Sequence, residues 1–217
     1  MQEEVINIST HRCHIISGNK TPQIVLVKPL GSFEWKCLLQ ECQLIAELCT
    51  VPFVLCAFEV DDMDSFRHPD TNTFNFLTEQ LTPYLRLRFG QVSLVLGGYS
   101  LGGLFALWCS TLTDEFQAIA ACSPSLWAAW WHDHALLNPP KAQYVYLSVG
   151  DTEEHTRKEP FCHMGNALRQ QHQLLLSQLD YDHCTLEWNP GGHFNQIEIR
   201  KAKGFAWCIN HLIPCQQ

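Results

Sequence analysis

The segment Gly97-Gly98-Tyr99-Ser100-Leu101-Gly102-Gly103 contains the residues of this chain best arranged for covalent chemistry. It reads G-x-S-x-G, directly after the apolar run 92–96 and before Leu104, Phe105, Leu107 and Trp108, which are spaced as on the buried face of a helix. A serine at such a strand-to-helix turn sits in a strained backbone conformation and projects alone, because Gly98 and Gly102 let strand and helix approach closely. A helix start also turns free backbone amides, including that of Leu101, toward an oxyanion forming beside Ser100. A glycine-rich turn can equally cradle a phosphate. Neither G-x-G-x-x-G nor G-x-x-x-x-G-K-[ST] occurs, and the context favours a nucleophile.

A serine hydroxyl is barely nucleophilic at neutral pH, so this reading requires a histidine base and an acid to orient it, each on a loop after a later strand. Of the eleven histidines, His193 stands in Asn189-Pro190-Gly191-Gly192-His193-Phe194, after the last strand-like segment and before the last helical one. For the acid, the apolar run 144–149 leads into Gly150-Asp151-Thr152-Glu153-Glu154-His155-Thr156-Arg157. Asp151, Glu153 and Glu154 compete for the role, and at least one of them is expected to be a solvated loop charge or a partner of Arg157.

These loops need a sheet to carry them. With 217 residues, 46% hydrophobic and 17% charged, the chain suits one domain spanning 1–217 with a substantial core. The runs 24–27, 53–58, 92–96, 119–121 and 144–149 are nearly all apolar, as in strands covered on both faces, while 184–188 alternates like an edge strand. Between them lie helical stripes: Trp35, Leu38, Leu39, Cys42, Ile45, Ala46 and Cys49; Phe74, Leu77, Leu81 and Leu85; Met164, Leu168, Leu175 and Leu179; and Ala202, Phe205, Ala206, Ile209, Leu212 and Ile213. The expected fold class is α/β: a mostly parallel, doubly wound sheet of about six core strands with helices on both faces. Residues 1–20 supply one or more antiparallel edge strands. Ligands then bind beyond the carboxyl ends of the strands. Little chain remains for a separate lid, although the loop 61–71 could overhang the site.

Composition excludes several classes. A formal net charge of −8 is the wrong balance for neutralising phosphates, so no nucleic acid is expected. The start lacks a basic n-region and an apolar h-region, and no apolar run reaches membrane-spanning length, which suggests a cytoplasmic protein with no membrane partner. The eleven cysteines are odd in number and include no C-x-x-C pair; several fall on apolar stripes, as expected of thiols kept reduced. His11, Cys13 and His14, and likewise His132 and His134, lie close in sequence but lack zinc-site spacing, so neither a metal nor an organic cofactor is expected.

Four motifs together carry a resemblance: the stretch from Gly98 to Leu107, Ala121-Cys122-Ser123-Pro124-Ser125-Leu126-Trp127, Val149-Gly150-Asp151-Thr152-Glu153, and Gly192-His193-Phe194. In this order they resemble the putative-esterase branch of the α/β-hydrolases, which includes enterochelin esterase-like and esterase D-like proteins. The resemblance covers roughly the last two thirds of the chain and implies a Ser-acid-His order. It points to Glu153 as the acid, with Asp151 second. The family's His-Gly after the first core strand is replaced by Lys28-Pro29-Leu30-Gly31. Pro29 has no N–H to give, so Leu30 is the candidate second oxyanion donor, with Gly31 next. The resemblance implies a serine esterase acting on a small soluble ester or thioester. The alternatives are an acyltransferase using the same residues and a non-catalytic binding protein. Trp127, Trp130 and Trp131 are either core caps or pocket walls.

Overall fold

The computed structural model describes residues 1–31, 34–157, 159 and 161–213. Eight strands form one sheet: β1 (Gln2–Ile8), β2 (His11–Ser17), β3 (Ile24–Leu30), β4 (Phe53–Glu59), β5 (Ser93–Tyr99), β6 (Ala118–Cys122), β7 (Tyr144–Gly150) and β8 (Cys184–Asn189). Their spatial order is β1-β2-β4-β3-β5-β6-β7-β8. The six strands from β4 to β8 are parallel, as the apolar runs require, and the β1–β2 hairpin adds antiparallel to β4. The alternating segment is an edge strand, β8, as its pattern implied.

Side-chain alternation divides the core into two layers. Leu94 and Leu96 of β5 face one way and Val95 the other. The first layer is covered by α2 (Thr71–Asn75), a π-helical turn Phe76–Leu81, α3 (Thr82–Phe89), α4 (Leu101–Leu112), α5 (Trp131–Leu137) and α6 (Met164–Gln178). The second is covered by α1 (Leu38–Leu48) and α7 (Ile197–Leu212). Among the described residues, no helix is long and apolar enough to cross a membrane. The ten described cysteines are all free, and Cys215 lies outside the described residues.

The chain leaves β3 for β4 on one side and returns to β5 on the other, so the order reverses between β3 and β5, where doubly wound sheets open a crevice at their carboxyl ends. The first core strand is longer than its apolar run: Lys28, Pro29 and Leu30 continue it along β4 after pairing with β5 has stopped at Val27. Proline is tolerated where one side of the ladder has opened. Lys28 is tolerated for another reason: it is buried with its Nζ 3.0 Å from Glu41 Oε2 of α1, which Lys201 of α7 approaches to 2.9 Å. Residues 61–71 lie against the start of α4 and the end of β3: a Cβ on Gly102 would come within 3.5 Å of Met63 Cε, and one on Gly31 within 3.2 Å of Met63 Cγ. A 3-10 turn, Met63–Arg67, packs on α4, with Phe66 stacked on Phe105 at a centroid distance of 4.1 Å.

Candidate active site

β5 ends at Tyr99 and α4 begins at Leu101, so Ser100 alone makes the turn. Its φ of 54° and ψ of −116° lie where a side chain is strained, at a cost on the order of 1–3 kcal/mol. Three backbone hydrogen bonds hold it there. Its N–H donates to the Cys122 carbonyl (3.0 Å), and its carbonyl accepts from the amides of Leu104 and Ser125 (both 3.1 Å). A Cβ on Gly98 would lie 2.5 Å from the Gly102 carbonyl carbon, which explains the glycine there.

The elbow meets the histidine loop from the far end of the sheet. His193 Nε2 lies 3.0 Å from Ser100 Oγ, and its Nδ1 lies 2.7 Å from Glu153 Oε2. An ionised carboxylate only accepts, so the proton belongs on Nδ1 and the Nε2 lone pair faces the serine hydroxyl. Ser100 Oγ has a second neighbour, Ser125 Oγ, at 3.1 Å.

Glu153 is buried in a short 3-10 turn after β7. Its Oε1 accepts from the Gly150 amide (2.7 Å), the Ser123 hydroxyl (2.8 Å) and Arg200 Nη1 (2.9 Å). Burial opposes its charge, but the hydrogen bond and charge of His193, with the Gly150 amide and Ser123 hydroxyl, outweigh it and hold the carboxyl below its ordinary value.

Arg200, fully buried in the first turns of α7, links the acid to everything around it. Nη1 also donates to Tyr99 Oη (2.9 Å), and Nη2 donates to the carbonyls of Pro190 (3.1 Å) and Gly192 (3.0 Å) in the histidine loop. Tyr99 in turn donates to the His193 carbonyl at 2.7 Å. Burial foremost pushes the Tyr99 hydroxyl up to about 12, so it remains a donor. The sequence reading missed Arg200 and the parts played by Tyr99 and Ser123. A signal was present: a cation in the first turns of a helix opposes the dipole and calls for a tertiary partner.

The other expected residues fall as follows. Asp151 is exposed, and its Oδ1 accepts from the Gly191 amide (2.8 Å), fastening the histidine loop at its left-handed glycine, φ 93°. Glu154 pairs with both terminal nitrogens of Arg169 (2.6 and 2.9 Å), while Arg157 is exposed. Leu101 is the first residue of α4; Leu30 ends β3 and is buried. The Gly31 amide donates to Glu34 Oε2 at 3.2 Å. Burial resists the charge on Glu34, but Lys28, Lys201 and that amide more than offset it, and the carboxyl falls to about 2. Trp131 is core, its Nε1 donating to Gln171 Oε1 (2.8 Å); Trp130 donates to the Arg67 carbonyl (2.7 Å), and the Arg67 guanidinium lies 5.2 Å from the Trp127 ring centre.

His11 and His14 cannot converge on one metal, because they point to opposite faces of β2: His11 stacks on Phe76, and His14 hydrogen-bonds Glu3 and Glu59. His134 hydrogen-bonds Thr111. Among the described residues, the group whose ligand atoms do approach within 4.8 Å of one another is Glu159, Cys162 and His163, at the surface. Beside His193 a cleft of about 310 Å³ opens between Thr152, Thr156, Phe161 and Phe194. The Phe161 and Phe194 rings stand 5.2 and 5.1 Å from the imidazole.

The sheet order and the serine elbow define an α/β-hydrolase fold. The family model described as "Esterase: Putative esterase" matches residues 57–195, more than half of the chain, and the chain belongs to that family of ester-hydrolysing enzymes. A search of curated proteins found no match. Among solved structures, the fold is similar to an IroE-like serine hydrolase from Shewanella oneidensis, with a TM-score of 0.73 and 13% identity over 94% of this chain and 79% of that one. It is also similar to the siderophore hydrolase EstB from Aspergillus nidulans (0.70, 16%, 94% and 93%). A third, an α/β serine hydrolase without a lid from Xanthomonas campestris, gives 0.68 and 14% over 100% and 97%.

Proposed function

We propose that this protein is a serine carboxylesterase that cleaves small, soluble acyl esters or thioesters through Ser100, His193 and Glu153. The observation that carries this reading is the unbroken path from Ser100 Oγ through both imidazole nitrogens to Glu153 Oε2, with steps of 3.0 and 2.7 Å. In the forward step, Ser100 Oγ attacks the acyl carbon while its proton passes to His193 Nε2. The new imidazolium keeps its Nδ1 proton and donates it in a hydrogen bond to Glu153, whose charge it faces in a buried setting. The carbonyl electrons move onto oxygen, where the Leu101 amide, at the start of α4, stabilises them. The second donor comes from the end of β3, from Leu30 or, next, Gly31.

His193 then returns the proton to the leaving alcohol or thiol, and the acyl group stays on Ser100. Water, deprotonated by the same nitrogen, attacks the acyl-enzyme, and collapse restores Ser100 and frees the acid. All of the groups used belong to the chain. The cleft of about 310 Å³ beside His193 supports substrates of modest size. The ten described cysteines, all free, fit a cytoplasmic enzyme acting on a small-molecule partner.

The test is incubation with a fluorophosphonate probe and with p-nitrophenyl acetate. Labelling and turnover should be present in the wild type and fall to background in Ser100→Ala. Equal signals in both would refute the reading. Because a structurally similar protein is a siderophore hydrolase, siderophore lactones belong in the substrate panel beside short acyl esters, thioesters and feruloyl esters.

A further inference from the structure

Ser123-Pro124-Ser125, immediately after β6, is the one sequence motif the catalytic scheme leaves half used. Ser123 is accounted for, since its hydroxyl donates to Glu153. Ser125 is not. It is 1% exposed, its amide donates to the Ser100 carbonyl at 3.1 Å, and its hydroxyl oxygen lies 3.1 Å from the attacking oxygen itself. Pro124 fixes the segment against the elbow: a Cβ on Gly103 would come within 3.1 Å of the proline Cβ. The hydroxyl is therefore placed from both ends.

Proton bookkeeping assigns the direction of this contact. Ser100 has one hydroxyl hydrogen, and it is directed at His193 Nε2, 3.0 Å away. The hydrogen between the two serine oxygens must then come from Ser125, which donates into a lone pair of Ser100 Oγ. One lone pair remains for attack. We propose that Ser125 is a further catalytic residue, a fixed donor that stabilises negative charge on Ser100 Oγ as the nucleophile loses its proton and again as it is expelled from the acyl-enzyme. This inference rests on the esterase reading above. No proton is transferred to or from Ser125: its O–H bond stays intact while its hydrogen bond strengthens with the charge on Ser100 Oγ, weakening again when that oxygen becomes an ester. The contribution is therefore larger in the transition states than in either ground state, which is what accelerates a reaction.

The experiment uses Ser125→Ala, which removes the donor, and Ser125→Cys, which fills the same space with a weak one. Acylation is read as the burst rate with p-nitrophenyl acetate and as fluorophosphonate inactivation; deacylation is read as the steady-state kcat. Both variants should slow both steps by about tenfold, the size of one charge-assisted hydrogen bond. KM and the acid limb of the pH–rate profile should stay at their wild-type positions, because Ser125 does not touch His193 or Glu153. Wild-type rates in the cysteine variant would assign Ser125 a packing role and overturn the proposal. A loss accompanied by a displaced acid limb would do the same, since it would mean the imidazole had moved. A wild type with neither turnover nor Ser100-dependent labelling would overturn the esterase reading first, which distinguishes the two failures.

Discussion

Exchanging Glu153 for glutamine changes one atom, and the hydrogen bonds around it dictate where that atom goes. Glu153 Oε1 receives donors from Gly150, Ser123 and Arg200, so an NH2 group cannot stand there. The amide must turn its nitrogen toward His193 Nδ1, where Oε2 had been an acceptor at 2.7 Å. Two donors cannot face each other, so the imidazole adopts the other tautomer, with its hydrogen on Nε2 aimed at Ser100. That nitrogen can no longer take the serine proton, and kcat should fall about 10⁴-fold, the cost of the wrong tautomer in a Ser-His-acid site. The variant also leaves the buried Arg200 without its counter-charge. Removing one partner of a buried pair costs about 3–5 kcal/mol, so kinetics belong well below the variant's melting temperature, with circular dichroism confirming the fold. The control is Asp151→Asn, which keeps the Oδ1 acceptor for Gly191 and should leave kcat near wild type. A Glu153→Gln enzyme within roughly tenfold of wild type, or an Asp151→Asn enzyme more damaged than it, would refute the assignment of the acid.

Arg200→Met strands Glu153 as a buried anion and leaves the Pro190 and Gly192 carbonyls without their donor, so stability should fall by about 3–5 kcal/mol in urea unfolding. Loss of the neighbouring positive charge should also raise the Glu153 pKa, read by an infrared titration of its isotope-labelled carboxylate. Gly98→Ala pushes a methyl into the Gly102 backbone; it should cost about 1–3 kcal/mol by thermal melting and abolish fluorophosphonate labelling, because strand and helix must part at Ser100. The Glu34 carboxyl, at about 2 in the folded protein against 4.5 ordinarily, binds protons less readily than in the unfolded chain. Its contribution to stability is complete above that ordinary value and is lost as pH falls toward 2, so Glu34→Gln should flatten the acid side of a Tm–pH curve measured by calorimetry.

Strands β3 to β7 were legible because each is covered on both faces and therefore reads as an apolar run, and β8 because it alternates as an edge strand does. Ser100 and His193 were legible because glycines mark the cramped turns that hold them. Legibility failed where charge was buried. Lys28 ended the apolar run 24–27 on paper, yet the strand continues to Leu30 because Glu41 neutralises the ammonium. The acid stayed ambiguous among three carboxylates because what separates them is tertiary: Glu153 points inward to Arg200, Glu154 outward to Arg169, and Asp151 to a backbone amide. The helix through Phe74, Leu77, Leu81 and Leu85 was read as regular, but it contains a π-helical turn, which hydrophobic spacing alone does not reveal.

Two adjacent cations on one helix show how the two halves of the site are kept in register. Arg200 and Lys201 are both buried in the first turns of α7, where the helix dipole disfavours positive charge, and successive helical residues diverge by about 100°. Arg200 therefore reaches the acid and the histidine loop, while Lys201 reaches Glu34 Oε1 and Glu41 Oε2, both at 2.9 Å. Glu34 in turn holds the Gly31 amide beside the proposed oxyanion donor Leu30. The base–acid pair and the β3 loop come from opposite sides of the sheet's reversal point, and no direct bond between them is needed if both are referred to the same rigid helix. Because each cation is costly to bury and is satisfied only when its own loop is in place, α7 docks fully only when both halves of the site are formed.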